Sequence, residues 1–170
     1  MESAAVLGLA AGCETNARSL VEHNGGALVV HGLVPLLQGE NSHDHDPRLT
    51  LGAKAAAVLC CASLAQHFGC VGALVTGGAF GHLVRIAEAE MKHPVLPPAL
   101  LGAACAALGS CAVVPQQAAA LRSTGVEAHM LVMKDGLEGT PLDLGQASLL
   151  ESCTAALAAI ERYAPLYVEK

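Results

Sequence analysis

The chain has 170 residues, a formal charge of -6 and nine Lys plus Arg. That is room for one domain or a few repeat units, without the clustered cations that a nucleic-acid surface needs. Apolar residues make up 53% of the sequence, aromatic residues 2%, and Trp is absent, which describes a core of small side chains that lets helices approach closely.

A mean hydropathy of +0.48 raises the question of a membrane. The most apolar stretch, residues 99–114, is shorter than the roughly 20 residues a bilayer-spanning helix needs. It is closed by Pro97, Pro98 and Pro115, so no membrane insertion is expected. No basic residue precedes the apolar run at residues 4–11; the charged start of a secretory signal is missing and a cytoplasmic location is expected. Seven cysteines, an odd number, lie mostly inside apolar runs and read as buried free thiols.

In chain order, residues 4–11 read as an Ala-rich apolar helix that leads to Gly25 and Gly26. A middle helix follows in which Gly32 and Pro35 require either a kink or a shifted register with Gly32 as the true turn. The polar segment 39–47 reads as a loop. An Ala-rich helix covers residues 55–65, where Val58, Leu59, Ala62 and Ala65 fall at spacings of three and four and offer one face to the core. Further helices are expected at residues 70–76, 79–92 and 96–112, with Gly77 and Gly78 as a left-handed stop between the first two. Residues 142–167 read as one more long helix, most of whose charges, Glu151 and Arg162 among them, form a solvated face.

A repeat underlies this order. The stretch from Ala73 through Gly78 and His82 to Val84 matches the stretch from Ala120 through Gly125 and His129 to Leu131 at a constant offset of 47 residues. Ala-Leu, the Gly, a small residue three further on, the His and an apolar pair all recur without a gap. Each matched stretch follows an Ala-rich helix, and equating Gly26 with Gly78 gives an offset of 52, the extra length falling in the polar loop. The unit is a short helix, a Gly turn, a middle helix, a loop and a long third helix.

These residues resemble the armadillo repeat, with the related HEAT repeat as the near alternative. In that family the third helix ends in a Leu-Ala-rich turn, an Asn commonly follows, then a short helix with an apolar residue, then Gly. Leu9, Ala10, Asn16, Leu20 and Gly25 follow that order, as do Leu108, Pro115, Leu121 and Gly125, with Pro115 at the place of Asn16. The resemblance implies an all-α solenoid of about three units plus a leading helix: residues 1–13, 14–66, 67–112 and 113–170. Opening inside a third helix, the chain reads as an excerpt of a longer array or as one that docks end-on to a neighbour.

The resemblance implies a non-catalytic scaffold that binds a partner protein or an extended peptide along the third helices, with Lys54, Gln66 and His67 as candidate contacts. Importin-type members hold basic peptides with Trp and Asn on those helices; here neither occurs there, so recognition of nuclear localisation signals is not implied. A second reading is a structural subunit embedded in a larger assembly, such as a ciliary or organellar complex, its apolar surface covered by neighbours.

Catalytic and metal chemistry is weaker. His43-Asp44-His45-Asp46 alternates metal-ligand types but within a loop, where a solvated segment is the simpler reading. Val75-Thr76-Gly77-Gly78-Ala79-Phe80-Gly81 resembles the dinucleotide turn of short-chain dehydrogenases. It lies mid-chain, however, and no Tyr-x-x-x-Lys follows. Cys60, Cys61, Cys105 and Cys111 read as core packing, and His82 and His129, equivalent by repeat, as structural. No cofactor, metal or catalytic residue is expected.

Overall fold

The structure, a computed structural model, describes residues 13, 15, 16, 19, 25–38, 47–92 and 96–168, and all regular structure among them is helical. The helices are α1 (Gly25–Gln38), α2 (Pro47–Ala65), α3 (Phe68–Thr76), α4 (Ala79–Lys92), α5 (Pro98–Cys111), α6 (Pro115–Ser123), α7 (Val126–Leu137) and α8 (Leu144–Tyr163), followed by a 3-10 turn at Ala164–Leu166. The expected all-α class holds, and α4 has the expected bounds. The leading helix at residues 4–11 and the His43-Asp44-His45-Asp46 loop lie outside the described residues.

The 47-residue offset is written into the helix boundaries. α3 and α6 start at Phe68 and Pro115 and end at Thr76 and Ser123; α4 and α7 start at Ala79 and Val126. Between each pair of helices sits a glycine in the left-handed region, Gly78 at φ 85° and Gly125 at φ 82°. An L-residue pays for that conformation with a Cβ–carbonyl clash, so glycine recurs where the chain must leave one helix and enter the next. The neighbouring Gly77 has an ordinary φ of -78° and is small for another reason: a Cβ there would lie 2.5 Å from Cγ1 of Val30. Its counterpart Thr124 lacks that constraint and hydrogen-bonds through its hydroxyl to the Leu121 carbonyl at 3.2 Å.

α1 is one helix that contains both Gly32 and Pro35, and Gly32 is not at positive φ. The turn register centred on Gly32 is therefore excluded.

Packing divides the chain into two compact units, Met1–Leu83 and Val84–Lys170, with the boundary inside α4. Density of packing and sequence equivalence are separate properties, so this boundary need not fall at residues 66 and 112, where the repeat divides.

In the first unit α1, α2 and α3 pack pairwise. α1 buries Val30, Leu33 and Leu37, and α2 buries the pairs Ala57-Val58, Cys60-Cys61 and Leu64-Ala65. Those spacings of three and four make one stripe, but not the one expected from Val58, Leu59, Ala62 and Ala65. Leu59 is 51% exposed and Ala62 half-buried. The stripe is centred two residues away from Leu59, at Ala57 and Cys61, which places Leu59 about 160–200° round the helix. Because α2 is apolar on all sides, periodicity alone could not select its inward face.

In the second unit the principal packing is α5 against α8. A Cβ on Gly102 would lie 3.1 Å from the Leu149 Cα, and one on Gly109 would lie 2.9 Å from the Ala156 Cα. Both contacts join residues 47 apart and advance together along the two helices, so α5 and α8 run parallel, in register with the sequence repeat. α5 is buried over most of its circumference, with only Ala99 and Ala106 exposed between Ala99 and Cys111. α8 buries one stripe, Leu149, Cys153, Ala156 and Ile160. Glu90, 9% exposed, accepts the Leu96 backbone N–H at 2.7 Å ahead of α5.

Two alanine substitutions separate close approach from helix propensity. Gly136 lies in α7, and a Cβ added there would meet nothing within 4 Å, so Gly136→Ala should stabilise by about 0.5–1 kcal/mol. Gly109→Ala should instead destabilise by about 1–3 kcal/mol because its Cβ meets backbone. Urea midpoints measure both. Equal stabilisation by the two would contradict the contact.

At Gly125 the surroundings are open, so the cost of Gly125→Ala is conformational, about 1–2 kcal/mol. Gly125→Asn should recover part of it in the same titration.

Candidate partner-binding surface

The expected contacts all fall in the first unit. Lys54 lies on α2, half-buried. Gln66 and His67 are off the helix, in the two-residue turn between α2 and α3, Gln66 exposed and His67 half-buried. The turn is held by backbone bonds: Gln66 N–H donates to the Ser63 carbonyl at 3.3 Å and His67 N–H to the Leu64 carbonyl at 3.0 Å. The His67 carbonyl accepts the Cys70 N–H at 2.8 Å, which starts α3. About 16 Å of helix separates Lys54 from Ala65, so these side chains do not form one cluster; only an extended partner reaches all three. At the repeat offset Lys54 corresponds to Leu101, which is 5% exposed, a core position in the later unit.

The second unit shows a surface that the sequence reading missed. Leu144, at the first turn of α8, is 93% exposed, and Val132 on α7 is 74% exposed beside Leu131 at 45%. Leu144 stands at an open, mainly apolar cleft of about 700 Å³ lined by Pro97, Pro98, Ala99, Leu142 and Gly145, among others. Parallel packing creates it by bringing the N-terminal ends of α5 and α8 side by side. Pro98 suits the first turn of α5, where its missing N–H would have no helical partner. α8 opens with a capping box: the Asp143 carboxylate accepts the Gln146 N–H at 2.7 Å, and the Asp143 N–H donates to the Gln146 side chain at 3.0 Å. Pro97-Pro98 and Asp143-x-x-Gln146 were the available sequence signals; both mark helix starts, and only the 47-residue register brings them together.

Several side chains with reactive potential are used for packing or local bonds. Cys60, Cys70 and Cys111 are buried, and burial disfavours the thiolate, raising the pKa of Cys60 to about 11 and of Cys111 to about 12, with Cys70 also raised. A nucleophilic cysteine requires the opposite shift. The His129 ring meets the Gly125 carbonyl through Nδ1 at 2.8 Å. This bond lies within its own turn; His82 is half-buried at the equivalent position. Thr76 donates its hydroxyl to the Gly72 carbonyl at 2.9 Å, and the Thr76-Gly77-Gly78 turn lies between two helices, whereas a dinucleotide-binding turn follows a strand.

Among the described residues no group of three or more His, Cys, Asp or Glu is placed to hold a metal ion. Among them, too, no single helix is long and apolar enough to cross a membrane. Comparison with family models, with curated proteins and with solved structures finds no match for the chain.

The buried thiols give a pH dependence. The folded-state pKa of Cys60 and Cys111 lies above the ordinary 9.0, so above pH 9 the unfolded chain releases protons at these two that the folded chain retains. Their contribution to stability is complete below pH 9 and lost as pH rises to about 12. Urea midpoints measured from pH 8 to 11 should fall above pH 9, and Cys60→Ala should flatten that fall.

Proposed function

We propose that the chain is an armadillo-like α-solenoid and acts as a non-catalytic scaffold, binding a partner protein or an extended peptide along its third helices. The supporting observation is the parallel pairing of α5 and α8 in the 47-residue register that the sequence repeats. Stacking of equivalent helices is how a repeat array builds one extended surface from units that contact only their neighbours. Affinity on such a surface comes from many modest contacts along an extended partner. The cytoplasm is the proposed location, with cytoskeletal or ciliary association, and no nucleic acid, membrane insertion or cofactor enters the reading.

Lys54, Gln66 and His67 are the proposed polar contacts, and the apolar cleft at Leu144 adds an anchor of the type that fills a pocket in a partner. A second reading has one observation in its favour. Leu144, Val132 and Val168 at 93%, 74% and 77% exposure are large apolar side chains facing solvent, as in a subunit whose neighbours cover it.

Expression of the chain alone, followed by light scattering, distinguishes the two. A monodisperse monomer is expected of the scaffold; aggregation relieved by Leu144→Glu with Val132→Glu is expected of the embedded subunit. Against a captured partner, Lys54→Glu and Leu144→Glu should each weaken binding about tenfold or more, since anchor truncations commonly cost 2 kcal/mol or more. Unchanged binding by both would remove these surfaces from the proposal.

A further inference from the structure

The α5–α8 contact also joins two thiols. Cys105 and Cys153 face each other across it with their Sγ atoms 3.8 Å apart, both with no exposed surface. Gly102 and Gly109 bracket Cys105 one turn to either side, and at both the backbones of the two helices are in contact. A disulfide needs Cα atoms within about 4.4–6.8 Å of each other, which calls for facing backbones in close approach. Gly102 and Gly109 provide that close approach on both sides of Cys105. Cys60 and Cys61 are neighbours in one helix, and Cys111 ends α5 at the far turn from Cys105.

We propose that Cys105 and Cys153 form a disulfide when the protein meets a hydroperoxide, stapling α5 to α8. The two thiols are not equivalent. The hydrogen bond between them holds Cys153 below the ordinary thiol value and raises Cys105. Cys153 also lies on α8, which buries a single stripe and needs only local opening to admit a small oxidant.

In the first step the Cys153 thiolate attacks one peroxide oxygen. The O–O bond breaks, Cys153 becomes a sulfenic acid, and the departing hydroxide combines with the proton Cys153 had released to give water. In the second step the Cys105 sulfur attacks the Cys153 sulfur. The S–O bond breaks, the S–S bond forms, and the departing hydroxide takes the Cys105 proton as a second water. Two thiols are oxidised by two electrons, and one hydrogen peroxide is reduced to two waters.

The test treats the full chain with hydrogen peroxide, then denatures and alkylates it. Wild type should go from seven alkylatable thiols to five and lose the mass of two hydrogens. A non-reduced peptide map should link Cys105 to Cys153, and dithiothreitol should restore all seven. In Cys105→Ser, Cys153 should instead carry a sulfenic acid that dimedone traps. Circular dichroism checks that this variant is helical; if it is not, the wild-type map alone decides. Cys105 and Cys153 both still alkylatable while other thiols oxidise, or a map that links either to another cysteine, would overturn the proposal.

Discussion

The contact between α5 and α8 depends on side chains that are not there. At Gly102 and Gly109 a single added carbon would lie 3.1 and 2.9 Å from the backbone of the facing helix, closer than a side chain can be accommodated without a shift. With Leu149, Cys153, Ala156 and Ile160 as the buried stripe of α8, the second unit is held by dense contact between backbones and small side chains, where dispersion acts at the closest range.

Parallel alignment in this register follows from repetition. If a short helix, a glycine turn, a middle helix and a loop each take the same number of residues, the third helix returns in the same direction one unit later, and its ends meet the ends of its predecessor. The left-handed glycines at Gly78 and Gly125 set where each unit turns. The apolar cleft at Pro97, Pro98 and Leu144 and the facing thiols of Cys105 and Cys153 are both products of that alignment. The open cleft and the facing thiols thus come from one geometric cause.

Much of this was legible in the sequence, for identifiable reasons. Proline and glycine mark backbone conformation directly, so the bounds of α4 and the turns at Gly78 and Gly125 could be read from residue identity. The inward face of α2 could not be, because Leu59 and Cys61 are both apolar and only tertiary packing decides that one is 51% exposed and the other buried. The middle helix α1 runs through Gly32 and Pro35 against their local preference, a case of packing overriding propensity. The candidate surface was legible only in part: charge and polarity single out Lys54, Gln66 and His67, but the exposure of Leu144 depends on two helix ends that are distant in sequence.

The most direct measurement is a solution NMR experiment on the labelled chain that looks for cross-peaks between the Hα protons of Gly102 and Gly109 and the backbone of α8. Contacts from Gly102 to Leu149 and from Gly109 to Ala156 are expected. Contacts from Gly102 to Ala156 and from Gly109 to Leu149, which an antiparallel pair would give, or contacts displaced by a turn or more, would contradict the parallel pairing.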